Sequence, residues 1–146
     1  MSHASHSTIE RHCDVAIIGG SAAGLAAALQ LGRLRRSVIV IDSGEPRNEP
    51  AEHLRSFLGY EGKAPGDLLA VGRDEVRSYG GEILTGHVET VTKGDDGKFV
   101  VHLSGGNSVV ARRVIAATGL ADHLPDIPGM REQGARRHSL PVLSRL

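Results

Sequence analysis

Residues 13–42 read CDVAIIGGSAAGLAAALQLGRLRRSVIVID, and this stretch decides the fold. An apolar run, Val15–Ile18, leads into a turn of small residues, Gly19–Gly24. A segment rich in Ala and Leu follows with a helical pattern, and a second apolar run, Val38–Ile41, is closed by the acid Asp42. This order predicts a strand, a turn, a helix and a second strand of the kind that holds a dinucleotide.

Each part of this unit has a physical role in binding such a ligand. Gly19 allows a tight exit from the strand, and the opening helix directs its free N–H groups and the positive end of its dipole at a pyrophosphate. Gly24 leaves room for the helix to lie close to the sheet. Asp42 comes 23 residues after Gly19, where its carboxylate can accept hydrogen bonds from ribose hydroxyls and repel a 2′-phosphate.

The turn departs from the glycine-rich dinucleotide pattern at one position. Ser21 stands where the pattern has a glycine, so its Cβ narrows the approach to the phosphates, although its hydroxyl can donate to one. The alternative is an ordinary strand–helix–strand crossover that binds no nucleotide. The acid and the two strands favour nucleotide binding. The candidate phosphate contacts are Gly19, Gly20, Ser21, Ala22, Ala23 and Gly24.

Length, composition and charge exclude several classes of protein. The chain has 146 residues, which favours one domain, and only 3% of them are aromatic, so the core must be aliphatic. Lys+Arg and Asp+Glu both number 17, which leaves no net field to recruit nucleic acid or an anionic membrane. No apolar run approaches the roughly 18 residues that span a bilayer, and the N-terminus lacks a secretory apolar segment. We therefore expect a cytoplasmic protein.

The histidines and the cysteine predict neither a metal site nor internal dithiol chemistry. Residues 1–12 carry His3, His6 and His12 without a paired cysteine or a carboxylate cluster, and we expect a disordered tail there. Cys13 is the only cysteine and begins an apolar strand, which favours a buried, inert thiol.

The loop after Asp42 is rich in turn residues and lies at the carboxyl end of the second strand, where open parallel sheets bind ligands. Arg47 and Asn48 therefore face the expected site, and the alternative is a solvated loop.

The rest of the chain predicts one more helix and several short strands. A helix begins at Pro65, and Gly80-Gly81 stops it. Short alternating strands between tight turns then predict an antiparallel meander, and a buried strand from Arg113 ends at Thr118-Gly119. The four strands of the expected meander are 83–84, 88–92, 99–103 and 109–111.

This order of parts resembles the first FAD-binding segment of the flavoprotein reductases that have two dinucleotide domains, and within them the thioredoxin reductase-like group. The Gly-Gly-Ser turn and the Arg-Asn pair also resemble the small flavin-dependent dithiol oxidases. The resemblance implies an α/β fold, a Rossmann-like FAD-binding βαβ sheet with an inserted antiparallel β-meander, and a partial FAD-binding domain over residues 13–129. The stretches that carry the likeness are Gly19–Gly24, Asp42–Asn48, Ala117–Gly119 and Leu124–Gly129.

By the same resemblance the cofactor is FAD, with NAD(P)H as a second cofactor in the full-length family. The partner is a small-molecule or protein dithiol, the chain forms a homodimer, and the turn holds the FAD pyrophosphate. No residue is assigned a catalytic role, because proton and electron transfer in the family use groups that this chain lacks. For His53 a structural hydrogen bond is favoured over acid–base chemistry. The remaining cofactor contacts that the resemblance implies are Asp42 and Ser43 at the ribose, Arg47, Asn48 and His53 toward the flavin, and Thr118 and Gly119 at the end of the sheet.

The sequence departs from the family after Gly129, where the resemblance leads us to expect a second nucleotide domain with a Cys-x-x-Cys pair. We interpret residues 130–146 as a non-family tail, frameshifted from about Gln133, because Arg137–Leu146 can be encoded so that the second reading frame gives Cys-Pro-Tyr-Cys. Sequencing of the coding DNA tests this hypothesis.

The expected function is that of an FAD-dependent oxidoreductase of thioredoxin reductase-like type, of which this chain holds only the N-terminal FAD-binding part. One alternative is a non-catalytic dinucleotide-binding module or an inactive truncated fragment. Another is a different flavoenzyme, such as a monooxygenase or an amine oxidase. The short meander and the exit at Gly129 argue against that last alternative.

Overall fold

The computed structural model of the chain describes residues 8–45 and 53–120. These residues form six strands and two helices, and neither helix is long and apolar enough to cross a bilayer. The elements are β1 Glu10–Ile18, α1 Ala22–Arg33, β2 Val38–Asp42, α2 Pro65–Ser78, β3 Glu82–Thr85, β4 Val88–Lys93, β5 Phe99–Leu103 and β6 Ser108–Ala116.

All six strands belong to one sheet with the order β3-β2-β1-β6-β5-β4. β3, β2, β1 and β6 are parallel, and β6, β5 and β4 are antiparallel to one another in turn. In the parallel part the two inner strands are β2 and β1, and β2 and the second half of β1, Val15–Ile18, are apolar on both faces, as parallel strands covered on both sides must be. The structure therefore confirms the predicted α/β, Rossmann-like fold.

The two helices cover one face of the parallel strands. Val15 and Ile17 of β1 and Val40 of β2 point into a buried cluster with Leu25 of α1 and Val76 of α2. The helices themselves approach closely at a glycine, since a Cβ added to Gly72 would lie 3.1 Å from Leu25 Cδ1. This contact fixes α2 against α1 and, through α1, against the sheet.

The opposite face is covered because the sheet curls over itself. A flat six-stranded sheet would hold its edges about 24 Å apart, given about 4.8 Å between strands. β3 and β4 lie at opposite ends of the strand order, yet only Gly86 and His87 join them, and that connection spans roughly 11 Å at most. The antiparallel strands must therefore fold back across the sheet. Their apolar residues form a second cluster with the remaining face of β1 and β2: Ala16, Ile39, Ile41, Val101, Leu103, Val109 and Ala111.

The structure corrects the predicted meander in two places. The segment at 83–84 is not part of it, because β3 pairs in parallel with β2, from Ile39↔Glu82 to Asp42↔Thr85. The expected fourth strand at 109–111 and the expected buried strand from Arg113 are one continuous strand, β6, whose second half is partly exposed. The antiparallel part is thus β4, β5 and the first half of β6.

The strand β1 begins earlier than the sequence predicts. Glu10, Arg11 and His12, placed in a disordered tail by their composition, pair with Ser108–Val110 of β6. His12 Nε2 lies 2.9 Å from Glu10 Oε1 on the exposed surface. No cluster of three potential metal ligands occurs among the residues that the structure describes.

Cys13 is half-buried on β1 rather than fully buried. Desolvation is the largest cause that raises the pKa of its thiol, and the nearby carboxylates of Asp14 and Glu82 add to it, giving a value of about 11. A raised pKa keeps the thiol protonated at neutral pH, and the protonated form is a poor nucleophile.

We expect Cys13 to react slowly with a thiol-specific alkylating agent. A rise from an ordinary pKa of 9.0 to about 11 lowers the thiolate fraction at pH 8 on the order of a hundredfold. Mass spectrometry of the native chain with iodoacetamide at pH 8 measures the rate, and the chain in denaturant is the control. Equal rates in the two states would contradict the shift.

Candidate functional site

The carboxyl ends of the central parallel strands meet at one edge of the sheet. The N–H of Gly19 donates to the carbonyl of Ile41 at 2.8 Å, and the N–H of Ala117 donates to the carbonyl of Ile18 at 2.8 Å. The carboxyl ends of β1, β2 and β6 therefore lie side by side, joined by backbone hydrogen bonds. Open parallel sheets bind their ligands in this position.

Two glycines permit the closest approach of backbone at this edge. Gly19 has φ +114°, and a Cβ on it would lie 2.2 Å from the carbonyl oxygen of Ala117. A Cβ on Gly24 would lie 1.8 Å from the carbonyl oxygen of Gly19. No side chain fits at either position without displacement of backbone. The sequence predicts that Gly24 lets the helix lie close to the sheet, and the structure confirms this close approach.

The first turn of α1 presents donors without a side-chain cap. Ser21 precedes the helix with an extended backbone and makes no capping hydrogen bond, and the N–H of Leu25 is the first to reach back, to the carbonyl of Ser21 at 2.9 Å. The first turn contains no acidic residue. Ala22 and Ala23 are exposed, so their N–H groups and the positive end of the helix dipole face an accessible space. This arrangement favours an anion.

Asp42 places a carboxylate at the end of β2, beside the end of β1. Its Oδ1 accepts a hydrogen bond from the N–H of Gly44 at 3.0 Å, and its Oδ2 accepts one from Nη2 of Arg73 at 2.9 Å. The Asp42 side chain is 15% exposed and that of Arg73 is 30% exposed. The carboxylate is therefore fixed on both oxygens and still reaches solvent.

Gly20 has a role that its position in the turn did not predict. A Cβ there would lie 2.4 Å from Cγ of Asp42 and 2.5 Å from its Cβ. Gly20 therefore makes room for the acid itself, whereas Gly19 and Gly24 make room for backbone.

Arg73 was missed by the sequence analysis, because a single arginine on a helix carries no motif. One signal was available. Arg73 follows the apolar Leu69 by four residues and precedes Val76 by three, which places its guanidinium on the buried stripe of α2. A charge on that stripe needs a partner, and Asp42 provides it.

The other predicted site residues divide into three groups. Ser43 is exposed beside Asp42, Thr118 and Gly119 are exposed shortly after β6, and a Cβ on Gly19 would lie 3.2 Å from the backbone nitrogen of Thr118. His53 is exposed, and no hydrogen bond among the described residues joins it to the strand ends. Arg47 and Asn48 lie outside the described residues, as do Leu124–Gly129 and the proposed tail.

A small apolar cavity of about 160 Å³ lies between the two helices and Phe57. Its volume is well below the 300–1,000 Å³ typical of sites for larger ligands, so it does not hold a whole dinucleotide. The open edge of the sheet is therefore the candidate site, and its donors and carboxylate fit the pyrophosphate and the ribose of a dinucleotide. The cavity is lined by Ala22, Leu25, Ala26, Leu29, Phe57, Leu68, Leu69, Gly72 and Glu75.

Comparison with known proteins agrees with this geometry. The family model of the pyridine nucleotide-disulphide oxidoreductases matches residues 13–141. The protein named thioredoxin reductase sirT from Leptosphaeria maculans is 35% identical over 126 residues, which are 84% of this chain and 38% of that protein.

Two crystal structures share the fold at higher sequence identity. HlmI is 49% identical with a TM-score of 0.77, and the match covers 88% of this chain and 40% of HlmI. An oxidoreductase from Agrobacterium tumefaciens is 47% identical with a TM-score of 0.77, over 83% of this chain and 41% of that one. This chain thus spans about two fifths of the length of each relative.

We expect Gly24→Ala to destabilise the chain and to weaken binding of ADP. Helix propensity alone would favour alanine by about 1 kcal/mol, but the clash with the Gly19 carbonyl opposes it with roughly 1–3 kcal/mol. Thermal unfolding and calorimetric titration with ADP measure the two effects.

The matched control is Gly66→Ala in the first turn of α2, where an added Cβ meets nothing within 4 Å. That variant should keep or raise the melting temperature. Unchanged ADP affinity in a folded Gly24→Ala variant would remove the turn from the site.

Proposed function

The chain belongs to the pyridine nucleotide-disulphide oxidoreductase family, and we propose that it supplies the N-terminal FAD-binding part of a thioredoxin reductase-like, flavin-dependent oxidoreductase. The relatives are about two and a half times as long as the matched segment, so their redox partners enter as part of this proposal. These partners are NAD(P)H and a small-molecule or protein dithiol, with a homodimer as the assembly and the cytoplasm as the location.

One observation carries the proposal. The uncapped first turn of α1 and the mostly buried carboxylate of Asp42 lie at the same edge of the sheet, and Gly20 stands between them against Asp42. The first feature attracts a pyrophosphate, and the second accepts hydrogen bonds from ribose hydroxyls. The adenosine diphosphate part of a dinucleotide carries both groups.

The residues of the turn would hold the pyrophosphate through their backbone. The N–H groups of Ala22 and Ala23 lack intrahelical acceptors, and the hydroxyl of Ser21 is not used in capping. Gly19, Gly20 and Gly24 would act by allowing close approach rather than by donating from a side chain. Because the first turn has no acid, the helix dipole is not offset by a negative side chain.

Asp42 would hold the adenosine ribose, with Ser43 beside it. Thr118 and Gly119 would border the cofactor where β6 ends, since the exit of β6 is tied to that of β1. The likeness to the family adds Arg47, Asn48 and His53 on the flavin side. Bound FAD would supply the capacity to accept a hydride from NAD(P)H or electrons from a dithiol.

A second candidate function, a dinucleotide-binding module without redox chemistry of its own, is favoured by one observation. Cys13 is the only cysteine, and its pKa of about 11 keeps the thiol unreactive. The two candidates differ in turnover: a module binds FAD but does not oxidise NAD(P)H or a dithiol.

The absorption spectrum of the purified, desalted chain between 300 and 550 nm tests the proposal. We expect a flavin spectrum, or its recovery after incubation with FAD and a second desalting step. A folded chain that stays colourless and gives no heat on titration with FAD would contradict the proposal.

We expect Asp42→Asn to weaken FAD binding on the order of tenfold, because a hydrogen bond to a charged acceptor is stronger than one to a neutral amide. Fluorescence titration with FAD measures the affinity. Asp74→Asn is the matched control, since Asp74 is an 80%-exposed acid on α2 and pairs with Arg77 of the same helix. Equal losses in the two variants would assign the effect to net charge alone.

A further inference from the structure

We propose that Arg73 positions Asp42 for the adenosine ribose and so sets the affinity of this chain for the ribose hydroxyls. The inference rests on the proposed function, because it concerns the adenosine end of the same dinucleotide site. Arg73 would act through Asp42 and would not contact the reacting end of the cofactor.

The first argument concerns which hydrogen-bond acceptor positions of the Asp42 carboxylate are occupied. Gly44 occupies one acceptor position on Oδ1, and Arg73 occupies one on Oδ2. A carboxylate oxygen accepts about two hydrogen bonds, so, counting only partners in residues 8–45 and 53–120, one position on each oxygen remains. Two acceptors side by side match the two neighbouring hydroxyls of a ribose.

The second argument is that Arg73 is itself held in place. It shares the buried stripe of α2 with Leu69 and Val76, which are 5% and 1% exposed. The adjacent Gly72 lies against Leu25 of α1, so the backbone at this turn of α2 is fixed relative to the helix that begins at the candidate phosphate site. A fixed guanidinium holds the carboxylate in one orientation before the ligand arrives, which lowers the entropy cost of binding.

The third argument is electrostatic. The sequence alone places a lone negative charge at the end of β2, which would repel a 2′-phosphate. The guanidinium at 2.9 Å offsets that charge. Removal of Arg73 should therefore strengthen the rejection of a 2′-phosphate. The weaker binding of a ribose with free hydroxyls follows instead from the loss of the fixed carboxylate orientation.

The experiment compares Arg73→Met, Arg73→Gln and Arg73→Lys with the wild-type chain. Calorimetric titrations with ADP, 2′-deoxy-ADP, AMP and adenosine 2′,5′-bisphosphate measure the affinities, and circular dichroism confirms the fold. Arg77→Met is the matched control, because Arg77 lies one turn later on α2 and pairs with Asp74 at 3.2 Å, whereas Arg73 pairs with Asp42. If Arg73→Met fails to fold, Arg73→Gln provides the neutral variant.

For a neutral variant we expect about a tenfold loss of ADP affinity and less than a threefold loss for 2′-deoxy-ADP. Arg73→Lys should restore part of the ADP affinity. The preference for AMP over adenosine 2′,5′-bisphosphate should rise in the neutral variants and stay unchanged in Arg77→Met.

Four results would overturn the inference. ADP affinity that is unchanged in both neutral variants would show that Arg73 does not contribute to binding. A higher affinity would show that Arg73 competes with the ribose for the carboxylate of Asp42. Equal losses for ADP and 2′-deoxy-ADP would show a general structural effect. Failure of the wild-type chain to bind ADP at all would overturn the proposed function together with this inference, whereas the first three results leave the proposed function intact.

Discussion

The rest of the structure depends on one close approach, that of the first turn of α1 to the turn that follows β1. The carbonyl of Gly19 lies where a Cβ on Gly24 would be, and the carbonyl of Ala117 lies where a Cβ on Gly19 would be. This packing sets the height at which the helix begins above the sheet. It also decides where the free N–H groups point, and it leaves the end of β2 open beside them. The candidate site is thus the product of a steric constraint.

The parts of the fold that could be predicted from sequence are those defined by residues close together in the chain. Residues 13–42 contain both strands, the turn, the helix and the acid, and the structure has each of them. The errors concern partners. The residue patterns of β3 and β6 indicate strands, but they do not indicate which strand each one joins or in which direction. Their pairing with β2 and β1 is set by contacts distant in sequence. Arg73 was missed for the same reason, because its partner Asp42 lies 31 residues earlier.

The two faces of the sheet solve the same problem, burial of an apolar surface, by different means. One face is covered by helices, and glycines at the helix contact allow close packing. The other face is covered by the antiparallel strands, which fold back over it. Gly86 lies in the connection between β3 and β4 and leaves space for Leu103, since a Cβ there would lie 2.8 Å from Leu103 Cδ2. Because both faces are closed, the open edge at the strand ends is left as the place where backbone donors and Asp42 meet solvent.

The pairing of β1 with β6 has a consequence for synthesis of the protein. The register joins Glu10 to Ser108, so the first strand cannot complete its hydrogen bonds until nearly a hundred further residues have been made. At roughly 5–20 residues per second, a ribosome needs about 5–20 seconds for that interval. Throughout that interval, one side of β1, which is apolar from Val15 to Ile18, offers unpaired N–H and C=O groups to any neighbouring chain. The nascent polypeptide is therefore more open to strand pairing with other chains than its final sheet would indicate.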